Sequence, residues 1–163
     1  MREHSVLTQQ ERQELIELVR ELPSKLTAAV AGLSESELTT QSIEGEWTVA
    51  QNIHHIYDAH AVCYIDCRLI VTEENPPLTW YNQDLLAELP DAKSADISGS
   101  LELIKQLHVR WTAFWENLPE SAWERTAIYP GRGPITLERI LQIYSKHGYN
   151  HIDQIQRTLA AMK

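Results

Sequence analysis

Glycine, positive charge and long apolar runs are all scarce in this sequence, and each shortage removes a class of protein. Six glycines in 163 residues, against an ordinary share of about 7%, leave few of the tight turns that a strand-rich fold needs. Fourteen basic residues face 23 acidic ones, for a net charge of −9. An electrostatic grip on nucleic acid needs clustered Lys and Arg to release counterions, and an anionic membrane surface makes the same demand. Neither partner is expected. No apolar stretch approaches the ~20 residues of a membrane span. The opening residues, Met1 to Arg12, contain no apolar signal core, so the expected compartment is the cytoplasm. The two cysteines, Cys63 and Cys67, are four apart. A bond between them would close too short a loop to constrain anything, so both are expected as buried free thiols. Catalytic signatures are missing as well. There is no Gly-x-Ser-x-Gly and no phosphate loop. The absence of His-Glu-x-x-His excludes that class of zinc protease. The absence of any Glu-x-x-His argues against a di-iron carboxylate bundle.

What the chain does contain is helical periodicity. A capping box at Thr8-Gln9-Gln10-Glu11 opens a first helix, with Leu15, Leu18, Leu22, Leu26, Ala29 and Leu33 spaced three or four apart. Pro23 lies inside it and must kink it or start a new segment. A second helix opens at Thr48, with Gln51 completing the box. It carries Val49, Ile53, Ile56, His60, Cys63 and Cys67 on one stripe and fades near Val71. An irregular stretch of residues 72–98 follows, relieved by a short helix near Asn82 to Ala87. A connection this long is uncommon in a compact domain and often functional. A third helix runs from about Ser100 to Asn117, and a fourth from near Thr136 to about Met162. No strand is expected. Residues 1–163 read as one all-α domain, a four-helix bundle with a long connection between its second and third helices that permits a crossover.

Seven histidines are many for this length. His147 and His151 are four apart on the fourth helix, one turn above the other on the seam Ile140, Tyr144, His147, His151, Ile155. Two imidazoles so placed can bind one metal ion, although two core-rim histidines are a bland alternative. Gly148 beside them would let a neighbouring helix approach closely. A third ligand would come from the second helix. At 100° per residue, His60 falls about 20° from the centre of the apolar stripe, His55 about 120° away on the rim, and His54 about 140° away and solvated. His55 and His60 both remain candidates, and geometry alone prefers His60.

The segment Glu46-Trp47-Thr48-Val49-Ala50-Gln51-Asn52-Ile53-His54-His55-Ile56-Tyr57-Asp58-Ala59-His60 resembles the metal-binding segment of the DinB/YfiT-like family. In that family a Trp opens the second helix and a ligand His follows eight positions later, which here is His55. His147-x-x-x-His151 matches the family's remaining ligand pair. The similarity continues through Arg68 to Glu74, Leu89 to Ser100 and Leu107 to Trp111, and lapses over Tyr129 to Gly133. The resemblance therefore implies a metal site of His55, His147 and His151, with His60 close by but not a ligand.

Three histidines leave coordination positions open, the feature that distinguishes catalytic from closed structural zinc. The resemblance implies a divalent transition metal, zinc or nickel, and a homodimer. It also implies an enzyme similar to bacillithiol-type S-transferases, in which the metal activates a low-molecular-weight thiol for attack on an electrophile. A metal-dependent hydrolase using metal-bound water, or a non-catalytic metal-binding stress-response protein, are the alternatives. Asp58, Asn150 and Asp153 are candidate partners of the ligand imidazoles. Arg132 is a candidate contact for an anionic substrate. Trp111, Phe114 and Trp115 are expected to pack.

Overall fold

The computed structural model describes residues 7–163; His4, expected to be solvated, lies outside the described residues. The four long helices are α1 (Gln9–Val30), α3 (Val49–Thr72), α5 (Ser98–Glu116) and α6 (Leu137–Ala160), with short helices α2 (Glu35–Thr39) and α4 (Gln83–Ala87) between them. Thr8 and Thr48 close the capping boxes that the sequence predicts, each accepting from the backbone N–H three residues on. α1 runs unbroken through Pro23. Its buried face is Ile16, Val19, Leu22, Leu26 and Val30, one residue round from the expected stripe at its start and end.

α1 packs against α5 and α6, and α3 packs against the same two. The first two long helices are thus diagonal, not neighbours. Two apolar clusters fix the directions. One joins Ile16 and Val19 of α1 to Cys67 and Ile70 of α3, Trp111 and Trp115 of α5, and Leu137 and Leu141 of α6. The other joins Leu22 and Leu26 to Val49 and Ile53, Ile104, and Ile152 and Ile155. The start of α1 and the end of α3 therefore share one end of the bundle with the end of α5 and the start of α6. α3 and α5 run parallel, and the long connection between them carries the chain back along the bundle, as a crossover must.

Two features depart from the sequence reading. Ser34 caps the short helix α2 with its own box to Glu37. Strands β1 (Thr126–Tyr129) and β2 (Gly133–Thr136) form an antiparallel hairpin, paired from Thr126↔Thr136 to Tyr129↔Gly133. Its three-residue loop has Gly131 at φ 74° and is followed by Gly133 at φ 88°, the left-handed backbone that such loops require. Four-residue strands containing Pro134 show too little alternation to stand out in sequence. The hairpin also fastens the long connection: Leu78 N–H donates to Ile128 O and Ile128 N–H to Pro76 O, both at 2.9 Å. Among the described residues, no helix is long and apolar enough to cross a membrane.

Candidate metal centre

Between the two apolar clusters lies a layer of histidines. α3 contributes His55 and His60, α5 contributes His108, and α6 contributes His147 and His151. His55, His60 and His108 are buried, while His147 and His151 are partly so. His55, His147 and His151 come together, each offering a ring nitrogen, with all three atoms within 4.8 Å of one another.

The local partners determine which nitrogens are free. The Asn52 amide donates through Nδ2 to Thr48 O at 2.9 Å, so its Oδ1 faces His151 Nδ1 at 2.8 Å. An amide oxygen only accepts. His151 therefore carries its proton on Nδ1 and keeps a lone pair on Nε2. That Nε2 lies 3.3 Å from His147 Nε2. Two imidazoles bound tetrahedrally to zinc at ~2.0–2.1 Å would hold their nitrogens about 3.3–3.4 Å apart. His55 Nε2 is buried with no hydrogen-bond partner, an arrangement that costs free energy unless something else meets the atom. The donor set, the spacing and the orphaned nitrogen all fit a divalent transition metal.

Electrostatics prepares the same atoms. Burial, aided by neighbouring His151, pushes His55 down to about 4. Burial, aided by His151 and His55, takes His147 to about 3. Burial takes His151 to about 4. Imidazoles must be neutral to bind metal, and here they are neutral well below pH 7. The half-buried Trp47 ring walls the cluster, 4.7 Å from His55 edge-on and 6.1 Å from His151 stacked.

A cavity of about 300 Å³ opens on His55 and His147. The long connection covers it with Leu78, Trp80 and Tyr81, the hairpin adds Arg132 and Ile135, and α6 adds Tyr144. Burial pushes the Tyr81 hydroxyl up to about 12 and raises Tyr144 further, so both stay protonated and able to donate. Arg132, suggested for substrate contact, lines the cavity and sits at an exposed position 5.1 Å over the Tyr129 ring.

Other sequence expectations fare unevenly. His60, which the helical wheel preferred as ligand, stands one ring behind the cluster: its Nε2 is 3.0 Å from His147 Nδ1 and its Nδ1 is 2.9 Å from His108 Nε2. His54 is not solvated. It is half-buried and bonded to Ser100 Oγ at 2.8 Å and Ser94 O at 3.1 Å, tying α3 to the long connection and the start of α5. The wheel misjudged both rim positions because α3 is covered nearly all round, with fourteen of its 24 residues buried. Asp58, Asn150 and Asp153 make no hydrogen bond to the three imidazoles; Asn52, unremarked in the sequence, does. An acceptor four residues after a helix cap and one turn from His55 was the available signal. Trp111 and Trp115 are fully buried packing residues, and Cys63 and Cys67 are free thiols, Sγ to Sγ 3.8 Å.

The chain is 38% identical over 150 residues to a Bacillus subtilis protein named "Putative metal-dependent hydrolase YfiT", covering 91% of this chain and 84% of that one. A similarly named protein of Halalkalibacterium halodurans is 37% identical over 148 residues, 91% of this chain and 86% of its own. The solved structure of YfiT, described as having an unusual four-helix bundle topology, superposes with a TM-score of 0.93 at 36% identity, over 99% of this chain and 93% of that one. A mycothiol-dependent maleylpyruvate isomerase shares the fold, with a TM-score of 0.70 at 16% identity over 92% of this chain and 63% of that one. The profile of the DinB superfamily matches residues 8–155, and the chain belongs to that superfamily.

Proposed function

We propose that the chain is a metal-dependent enzyme in which His55, His147 and His151 hold one divalent ion, zinc or nickel, and a low-molecular-weight thiol is brought to it for attack on an electrophile. The observation that carries this reading is the trio of ring nitrogens with the orphaned His55 Nε2, open on one side to a cavity. A divalent ion held by three imidazoles leaves room for a small ligand and lowers the pKa of a coordinated thiol or water.

The chain's own residues supply the rest. Asn52 fixes the ring of His151. Trp47 covers the cluster and keeps bulk water from it. Leu78, Ile135 and Ile143 give the cavity an apolar wall for the carbon skeleton of the electrophile. The Tyr81 and Tyr144 hydroxyls donate to a leaving or carbonyl oxygen, and Arg132 at the mouth attracts a carboxylate. A homodimer in the cytoplasm, where small thiols are reduced and abundant, completes the reading.

A second reading, hydrolysis with water in place of thiol, is favoured by the names of the relatives at 37–38% identity. The zinc- and nickel-loaded proteins can be offered an alkyl halide with and without cysteine-derived thiols, and separately an activated ester. Thiol conjugation that falls to background in His147→Ala, with unchanged far-UV circular dichroism, supports the transferase. Ester cleavage without thiol supports the hydrolase. Bound metal with no turnover on either panel overturns both in favour of a non-catalytic metal-binding protein.

A further inference from the structure

We propose that Pro23, through the backbone carbonyl of Val19 and the buried pair His108 and His60, sets the tautomer of His147 and so aims its Nε2 at the metal centre. The metal half of this proposal rests on the three-histidine reading above; the tautomer half stands without it.

The chain of reasoning starts on α1. In a helix the carbonyl of residue i accepts from the N–H of residue i+4. Val19 would be served by residue 23, which is Pro23 and has no N–H. The freed Val19 oxygen accepts instead from His108 Nδ1, 2.6 Å away. A carbonyl can only accept, so the His108 proton sits on Nδ1. A neutral imidazole has one proton, so His108 Nε2 is an acceptor. His60 Nδ1, 2.9 Å from it, must donate. His60 Nε2 is then an acceptor, and His147 Nδ1, 3.0 Å away, must donate to it. The proton of His147 is thereby held on Nδ1, and its Nε2 carries a lone pair.

No step can be reversed without setting a lone pair against the Val19 carbonyl. Water cannot substitute. His60 is 0% and His108 2% exposed, and His60 is walled by Trp111 and Tyr144 at ring distances of 5.3 and 5.6 Å. The same logic at Asn52 gives His151 a lone pair on Nε2. The 3.3 Å approach of His147 Nε2 to His151 Nε2 therefore joins two lone pairs. It is not a hydrogen bond, and a cation is what such a pair suits. Outer partners of this kind are worth about 10–100-fold in metal affinity. His60 and His108 are positioning residues, acting through His147.

Long-range proton–nitrogen NMR on the metal-free full chain, labelled with ¹⁵N-histidine, tests the tautomers directly. His108, His60 and His147 are expected to carry protons on Nδ1. A proton on His147 Nε2, or a tautomer mixture there, overturns the proposal. Zinc affinity by competition with a chromophoric chelator tests the consequence. His60→Leu should weaken zinc binding about 10–100-fold. His60→Gln should recover most of the loss, because its amide can accept from His147 and donate to His108. Pro23→Ala, which gives Val19 a competing backbone donor, should show a smaller loss. A folded His60→Leu that binds zinc like the wild type, or a His60→Gln no better than His60→Leu, contradicts the relay. If the wild type binds no zinc, the three-histidine reading falls, while the metal-free NMR spectrum still decides the tautomer chain.

Discussion

Five histidines occupy the middle of this bundle, and they divide by what their second nitrogen meets. His60 and His108 have both nitrogens engaged, against each other, Val19 O and His147. His55, His147 and His151 each direct a nitrogen at a shared point. Burial does not separate the two groups: His60, His108 and His55 are all 5% exposed or less. What differs is the neighbour. A backbone carbonyl freed by a proline saturates His108, and the two-ended amide of Asn52 saturates one side of His151 and leaves the other bare. At His147 and His151 the surroundings satisfy one nitrogen and leave the other bare, and at His55 Nε2 is left without a partner, which is what the proposed metal site asks of its imidazoles.

The sharpest way to break this comparison is to remove a member of each group. His147→Ala should lower metal affinity by more than the 10–100-fold expected of an outer partner, measured by chelator competition, with helicity unchanged. Equal losses for His147→Ala and His108→Leu would erase the distinction. Next in size is Asn52→Leu, which strips the acceptor from His151 and should lower metal affinity about 10–100-fold. Asn52→Asp, which keeps an acceptor, should lose less.

Acid should also separate bound from unbound protein. His55, His108 and His151 are held down to about 4 and His147 to about 3 by burial, against an unfolded value near ~6.5. Between those values the unfolded chain binds more protons than the folded one. Stability is therefore complete above about pH 6.5, falls as pH drops to about 4, and goes on falling below that as His147 and the fully buried His60, held lower still, take up their protons. Urea midpoints of the metal-free protein across this range should show the decline, and added zinc should oppose it at the upper end. A flat profile would mean that the layer is not neutral when buried.

The smallest effect is expected at Gly148, beside His147. A Cβ there would meet Leu22 Cδ2 at 2.2 Å, so Gly148→Ala should cost about 1–3 kcal/mol in overpacking, offset by about 1 kcal/mol of helix propensity. The net lowers Tm by roughly 2–4 °C per kcal/mol. If metal affinity falls as well, the spacing of α1 from α6 sets the histidine layer as well as the apolar ones.

Much of this was legible in the sequence. Capping boxes at Thr8 and Thr48 and apolar spacing of three and four locate the long helices, because those signals are local. The His147–His151 pair was legible for the same reason, since four residues make one turn. The third member of the cluster, His55, was not. A helical wheel ranks positions by distance from an apolar stripe, and α3 has no exposed residue from Val49 to Tyr64, so rim residues His54 and His55 are enclosed. Only family resemblance selected His55. Asn52, His60 in its outer role and the Val19 carbonyl depend on which helices touch, and spacing along one chain carries no such information. The hairpin escaped because its strands are four residues each and held by the long connection.

The most direct test is metal content. The chain, purified without chelator or affinity tag and offered zinc or nickel, should hold about one equivalent per chain in an open three-histidine site, and His55→Ala, His147→Ala and His151→Ala should each hold little or none. A wild-type protein that stays near zero after both metals are offered would contradict the three-histidine centre.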